Sequence, residues 1–316
     1  FILSEQFRIS KSYKGKAISD IVADICTTYL KIGGSGHKAL YIDKTQGVYD
    51  FILPNKKPIE TINWLTNYAI PSKHPNGADI LFFENRMGYF FTSLQSMFNT
   101  EPVLGFAYNP KNITNDVFYN MTNVLHFEVI QYNNVLDAMN KGKFANRLIS
   151  LDTLRKVKTA TDFNYNDYFK KSSTLNGSSV TNNYKNKLGK MMFEPPDNTM
   201  ESGTLRMTAT NTGQTTTSYI SNSGAGSVSR DYQVEKSLPF RVAQLELSQH
   251  TILKITVPGN SSLFAGVCIN FSTPGMSPLN SKGNRPIDPY LSGKYLVTAV
   301  RHIITPASYI CVAEIC

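Results

Sequence analysis

The sequence has 316 residues, a length sufficient for two or three domains, and a formal net charge of +9. Hydrophobic residues make up 41% of it and charged residues 17%, the composition of a rather polar folded protein. No apolar run reaches the ~18 residues of a membrane-spanning helix, so we expect no membrane insertion. The metalloprotease, serine-hydrolase, P-loop and dinucleotide-binding motifs are missing, so we expect no enzyme of these classes, no cofactor and no metal.

The first third of the chain has the pattern of a small α+β unit. Apolar residues recur at helical spacing over Ala17–Leu30 and predict an amphipathic helix, which the following glycines end. A second helix is predicted to begin near Pro58, because proline is favoured in the first helical turn. Asp79–Thr92 has the pattern of an aromatic β-hairpin.

The middle of the chain is predicted to contain strands at Asn123–Tyr132 and Arg147–Asp152, with a short helix at Asn134–Met139. Residues 141–190 hold 11 Lys and Arg against 3 Asp. These cations lack the aromatic interleaving of a nucleic-acid module, which favours a solvated or protein-binding face. Ser, Thr, Asn and Gly dominate Lys171–Arg230, so we expect long loops there that neighbouring proteins order.

The last part of the chain is predicted to be a helix followed by an antiparallel sheet. The helix covers Phe240–Gln249, with Pro239 near its start. Alternating patterns predict strands at Thr251–Val257, Val267–Phe271, Gly293–Thr305 and Tyr309–Ile315. The turn through Pro306 is short enough to make the last two strands a hairpin.

Strict alternation along the first strand of this hairpin assigns its side chains to two faces, neither of them purely polar. One face holds Tyr295, Val297, Ala299, Arg301 and Ile303, and the other holds Lys294, Leu296, Thr298, Val300 and His302. This pattern suits a strand that a partner or a helix covers on one side, and a strand of an ordinary β-sandwich would show the same pattern.

Three segments resemble the phage baseplate hub family, which groups the central hub of contractile tails, late-control D-type proteins and the trimeric spike of type VI secretion. They are Tyr13-Lys14-Gly15-Lys16 with Ile18-Ser19-Asp20-Ile21-Val22, the segment NKGKFANRLISLD at Asn140–Asp152, and the segment GKYLVTAVRH at Gly293–His302. Each is a packing pattern, and their order along nearly the whole chain carries the resemblance.

The resemblance implies a β-rich α+β fold with tube-type antiparallel β-barrels and an intervening small α+β domain. Residues 1–15 would hold the last strand of a mostly missing first barrel, within Phe1–Ser10. Residues 16–122 would form the α+β domain, 123–238 a basic and Ser/Thr/Asn-rich excursion, and 239–316 the second barrel.

The resemblance also implies a non-enzymatic, homotrimeric hub in the virion tail baseplate, assembled in the host cytoplasm and acting in host entry and genome ejection. Its partners would be the spike protein, the tail tube or tube-initiator protein and the tape-measure protein, with nucleic acid only as the transiting genome. The candidate interface residues are Lys294, Arg301, His302, Lys254 and Arg241. Two alternatives stay open: a type VI-like spike base, and a tail-associated peptidoglycan hydrolase using a carboxylate pair.

Overall fold

The computed structural model describes residues 2–33, 38–74, 79–109, 116–132, 135–152, 156–165, 175, 205–209, 234–275 and 286–316. It is a β-rich α+β fold, as predicted. The described residues separate into two compact units. Unit 1 holds those within 1–96, 136–172 and 188–246, and unit 2 those within 97–135, 173–187 and 247–316. Among the helices that the structure describes, none is both long and apolar enough to span a bilayer.

The elements are numbered along the described part of the chain. The helices are α1 (Ile2–Gln6), α2 (Ile18–Asp24), α3 (Pro58–Thr66), α4 (Leu94–Phe98), α5 (Val117–Thr122), α6 (Val135–Asn140) and α7 (Val234–Ser248), and a π-helical turn (Ile25–Tyr29) extends α2. The strands are β1 (Ser12–Lys16), β2 (Ala39–Ile42), β3 (Tyr49–Ile52), β4 (Ile80–Glu84), β5 (Gly88–Ser93), β6 (Leu104–Ala107), β7 (His126–Tyr132), β8 (Ala145–Asp152), β9 (Val157–Asn164), β10 (Leu205–Ala209), β11 (Thr251–Pro258), β12 (Cys268–Ser272), β13 (Gly293–Ile304) and β14 (Tyr309–Ile315).

Unit 1 combines α2 and α3 with three small sheets, ordered β1-β3, β2-β5-β4 and β10-β8-β9. The predicted apolar stripe of α2 is confirmed, because Ile18, Ile21, Val22 and Ile25 are fully buried in its core. The helix α3 begins at Pro58 as predicted, and β4 and β5 form the predicted antiparallel hairpin. Apart from residue 175 and β10, which pairs in parallel with β8, the predicted loops of Lys171–Arg230 lie outside the described residues.

Unit 2 is built on a six-stranded sheet in the order β6-β12-β13-β14-β11-β7. The strand β6 runs parallel to β12, and all other neighbours are antiparallel. The predicted hairpin of β13 and β14 is confirmed at the centre of this sheet. Two strands, β6 and β7, precede residue 239, so the sheet draws on more of the chain than the barrel domain predicted over 239–316.

The sheet of unit 2 is strongly curled. Phe127 on β7 and Phe271 on β12 have ring centroids 5.6 Å apart, although three strands separate β7 from β12 in the sheet order. In a flat sheet the same strands would lie about 19 Å apart. Val124 N also donates to Ala107 O at 2.9 Å and connects the two sheet edges at one end. The sheet therefore forms a half-barrel that packs its core against its own concave face.

The first residues of the chain correct one prediction. Ile2–Gln6 is the helix α1, so the predicted last strand of another barrel within Phe1–Ser10 is wrong for this segment. Contacts with the start of α3 hold α1 in place: Ile59 N donates to Ser4 Oγ at 3.1 Å, and Glu5 contacts Lys57. A run of three apolar residues cannot distinguish a strand from a short helix, so these distant contacts decided the conformation.

The helix predicted over Phe240–Gln249 is longer than expected. It begins at Val234, which places Pro239 inside α7 instead of at its start. Proline lacks the N–H of an internal helical hydrogen bond, which is why the sequence pattern suggested a start there. Pro239 is buried, so packing of its ring accompanies the loss of that bond.

Candidate functional site

The five predicted interface residues fall in both units of the chain. Lys294, Arg301 and His302 lie on β13 and Lys254 lies on β11, all in unit 2, whereas Arg241 lies on α7 in unit 1. In the sequence, all five follow the beginning of the predicted final helix. Their shared basic character gave no signal that they fall in different units.

Arg241 makes contacts inside unit 1. Its Nη1 donates to Thr66 O and to Ile80 O, each at 3.2 Å, and so ties α7 to the end of α3 and to β4. Burial lowers the pKa of this guanidinium, and the nearby carboxylate of Asp79 acts in the opposite direction. These contacts give Arg241 a structural role within the unit.

The strand β13 does not keep one side-chain alternation along its length. Its pairing with β14 shifts register between Val297 and Ala299, as in a β-bulge. Tyr295 and Val297 face the core before the shift, whereas Val300 packs against the core after it. The two faces predicted for this strand are therefore wrong beyond Val297, because one extra residue exchanges inside and outside.

As a consequence of this shift, His302 lies opposite the buried Cys311. Its Nδ1 is 3.0 Å from Cys311 Sγ and 3.0 Å from Tyr309 Oη. Asn260 N donates to Cys311 Sγ at 3.4 Å, which fixes the thiol from the side of the loop after β11. His302 is thus an exposed ring anchored by two polar groups at one end of the half-barrel.

The three remaining predicted interface residues differ in how strongly their side chains interact with other parts of the chain. Lys294 Nζ donates to Phe98 O at 2.7 Å, so the ammonium group is held within unit 2. Lys254 lies between the acidic residues opposite it on the two neighbouring strands, Glu128 and Glu314. Arg301 is exposed opposite Val312 and is the predicted residue most available for contact with another molecule.

Sequence reasoning missed an exposed apolar surface on unit 2, which we call the α5 surface. It consists of Val117, Phe118 and Met121 on α5 together with Leu125, and α5 has no buried residue. Val117 and Phe118 are 70% and 71% exposed. Asp116 caps the helix by accepting hydrogen bonds from Phe118 N and Tyr119 N. The capped apolar pattern was visible in the sequence, but its outward orientation depends on the sheet.

Next to this surface, β7 is an edge strand of the six-stranded sheet. It contains neither proline nor lysine, and it exposes Val129, Ile130 and Tyr132. An unprotected edge strand offers free backbone groups to another chain. Within the described part of unit 2, the α5 surface and β7 are therefore features suited to an intermolecular contact.

Gly259 packs against the ring of Tyr309, the residue that contacts His302, and this packing can be tested by mutation. A Cβ atom added there would lie 2.0 Å from Tyr309 Cδ1, close to the main chain of the tyrosine, so the ring could not easily move away. We expect Gly259→Ala to lower the free energy of unfolding by about 1–3 kcal/mol and to break the Tyr309–His302 contact. Urea unfolding followed by circular dichroism measures the first effect, and the NMR signals of the His302 ring report the second.

The matched control is Gly105→Ala on β6, where an added Cβ meets no atom within 4 Å. This variant should unfold at nearly the same urea concentration as the original chain. Equal unfolding midpoints for the Gly259 and Gly105 variants would contradict the packing assigned to Tyr309.

In the part of the chain that the structure describes, no group of three or more His, Cys, Asp and Glu side chains could hold a metal ion. Cys26, Cys268 and Cys311 are buried thiols, and burial raises the pKa of Cys26 to about 12. A thiol with so high a pKa is a poor nucleophile at neutral pH.

The chain resembles known proteins in its three-dimensional structure. No family model matches the sequence, and no curated protein matches it. The tail protein from Neisseria meningitidis MC58 is similar with a TM-score of 0.50 and 8% identity, over 99% of this chain and 70% of that chain. The 43 kDa tail protein of prophage MuSo2 from Shewanella oneidensis gives a TM-score of 0.49 and 8% identity, over 100% and 70%. The chain therefore shares the fold of the Neisseria tail protein.

Proposed function

We propose that the protein is a structural component of a phage tail, and within the tail a trimeric baseplate hub that joins the tail tube to the central spike. The observation that carries this proposal is the likeness to the Neisseria tail protein, which extends over 99% of the chain. The ordered resemblance of three sequence segments to the hub family points in the same direction. A role in holding neighbours together requires no reactive group.

The surfaces of unit 2 are compatible with such a role. A hub must form stable contacts with copies of itself and with the tube and spike proteins, and such contacts bury apolar side chains. The α5 surface supplies exposed apolar groups, and β7 supplies a sheet edge that no further strand of the described residues pairs with. We propose that copies of the chain associate through these two features and that Arg301 contributes a charged contact at the outer face of β13.

Localisation and symmetry test the proposal most directly. A cryo-EM map of the native tail should place three copies at the baseplate, between the tube and the spike. A protein that is monomeric at micromolar concentration and missing from purified tails would contradict it. A spike segment covalently continuous with this chain in the native tail would favour the type VI-like alternative, and clearing of a peptidoglycan zymogram would favour the hydrolase.

Oligomerisation should depend on the α5 surface. We expect Phe118→Asp to shift the protein from trimer toward monomer, because a carboxylate cannot be buried in an apolar contact without a partner. Light scattering coupled to size-exclusion chromatography measures this shift. The control is Met87→Asp in the β4–β5 turn of unit 1, an apolar side chain that is 50% exposed. An unchanged mass for the Phe118 variant would remove the α5 surface from the interface.

A further inference from the structure

Unit 1 contains a cavity of about 320 Å³ that the proposed hub function does not use. Its lining comes from three places: Ile42–Lys44 at the end of β2, Pro71–Lys73, and Ser96 on α4. This volume lies at the lower end of the range, roughly 300–1,000 Å³, that small-molecule sites occupy.

Backbone hydrogen bonds hold the walls of the cavity together. Ser72 N donates to Lys44 O at 2.9 Å, and Gln46 N donates to Ile70 O at 2.8 Å, so the two main segments pair with each other. Asp43 N donates to Phe91 O at 2.8 Å and fixes the first segment to β5. The backbone of the two main lining segments is therefore fixed, and a ligand would have to order only the side chains of the exposed lysines.

The lining carries an excess of positive charge. Lys44 and Lys73 are both exposed at the cavity, and within the described ranges neither has a carboxylate partner. The one acidic residue of the lining, Asp43, is engaged through Oδ2, which accepts hydrogen bonds from Thr92 Oγ1 at 2.6 Å and Ser93 N at 3.2 Å. The two ammonium groups are thus available to a bound anion.

The other lining groups restrict the class of ligand further. Asp43 Oδ1 has no donor among the described residues and can accept a hydrogen bond from a ligand hydroxyl. Ser72 and Ser96 add hydroxyl groups, while Ile42 and Pro71 offer apolar surface to a carbon skeleton. Anion-binding ammonium groups beside a hydroxyl acceptor and an apolar wall fit a small polyhydroxylated anion better than a bare inorganic ion.

We propose that this cavity binds a small hydroxylated organic anion, a sugar acid or a sugar phosphate. Lys44 and Lys73 bind the anionic group, and Asp43 accepts hydrogen bonds from the hydroxyl groups. The site belongs to unit 1 and is independent of the hub function, so either proposal can fail without the other.

The test is an NMR titration of the full chain with four probes: glucuronate, glucose 6-phosphate, neutral glucose and inorganic phosphate. We expect saturable shifts at Ile42–Lys44 and Pro71–Lys73 with glucuronate or glucose 6-phosphate, and at least tenfold weaker binding of glucose. The carboxylate and phosphate probes show which anionic group the site prefers. Lys44→Ala with Lys73→Ala should weaken binding at least tenfold.

The matched control is Lys16→Ala with Lys31→Ala. These two exposed lysines do not line the cavity, so the control should bind the sugar anions with unchanged affinity. Circular dichroism melting checks that both double variants are folded. Equal affinity for glucose would overturn the role of the lysines, and equal affinity for inorganic phosphate would overturn the role of Asp43. Lack of saturation by either sugar anion at millimolar concentration, or equal losses in both double variants, would overturn the site.

Discussion

Replacing Phe271 with alanine is expected to lower the free energy of unfolding of unit 2 by about 3–5 kcal/mol. Phe271 is 1% exposed, and its ring lies 5.6 Å from that of Phe127 and 6.2 Å from that of Tyr295. Tyr295 lies on β13, the strand paired with β12, whereas Phe127 on β7 reaches Phe271 only because the sheet is curled. The variant therefore removes the centre of the concave core and leaves a cavity that the surrounding strands cannot close.

Urea unfolding of this variant should be followed through the amide NMR signals of β11 to β14, which report on unit 2. Trp64 is the one tryptophan of the chain and lies in unit 1, so its fluorescence follows the other unit separately. The control is Phe118→Ala, whose ring is 71% exposed and whose loss should change stability by no more than about 0.5 kcal/mol. Equal losses in the two variants would show that the half-barrel core is not packed as described.

The second large effect is a gain in stability on removing a buried charge. Lys143 lies in the turn between α6 and β8 and is 2% exposed, with Nζ 5.5 Å from the ring of Phe144 and 5.9 Å from that of Tyr165. Burial lowers the pKa of Lys143 to about 8, and attraction by Glu246 only partly offsets this effect. That carboxylate also lies 3.3 Å from Lys141 Nζ, which competes for it.

We expect Lys143→Met to stabilise unit 1 by about 3 kcal/mol at pH 7, since each unit of pKa shift corresponds to about 1.4 kcal/mol. Below pH 8 the amine is protonated in both the folded and the unfolded chain, so the folded state carries the full cost of the buried charge. Between pH 8 and the ordinary value of 10.5 the folded chain loses its proton first. The original chain therefore gains stability with rising pH, and the advantage of the variant shrinks over this window.

Urea unfolding monitored by Trp64 fluorescence at pH 7 and pH 9.5 measures both parts of this prediction. The control is Lys158→Met on β9, an exposed lysine of the same unit. It should change stability little at either pH. A Lys143 variant whose advantage is the same at both pH values would contradict the assignment of the effect to a buried ammonium group.

Predictions from local patterns succeeded where short-range periodicity decides the structure. The stripe of α2, the proline at the start of α3 and the hairpins β4–β5 and β13–β14 are all visible over a dozen or so consecutive residues. The β-rich α+β class follows from these elements. The surroundings of the candidate interface residues could not be predicted, because basic residues on strands and helices carry no local signal of whether the charge is exposed or engaged.

What the sequence determined by itself was therefore the type of each long periodic element, since side-chain alternation is a property of neighbouring residues. The tertiary structure decided the rest. It made Ile2–Gln6 a helix through contacts with α3, added β6 and β7 to the sheet from a distant part of the chain, and turned α5 outward. It also placed a bulge in β13 that brought His302 to Cys311. Strand pairing and burial depend on residues far apart in sequence, and no local pattern records them.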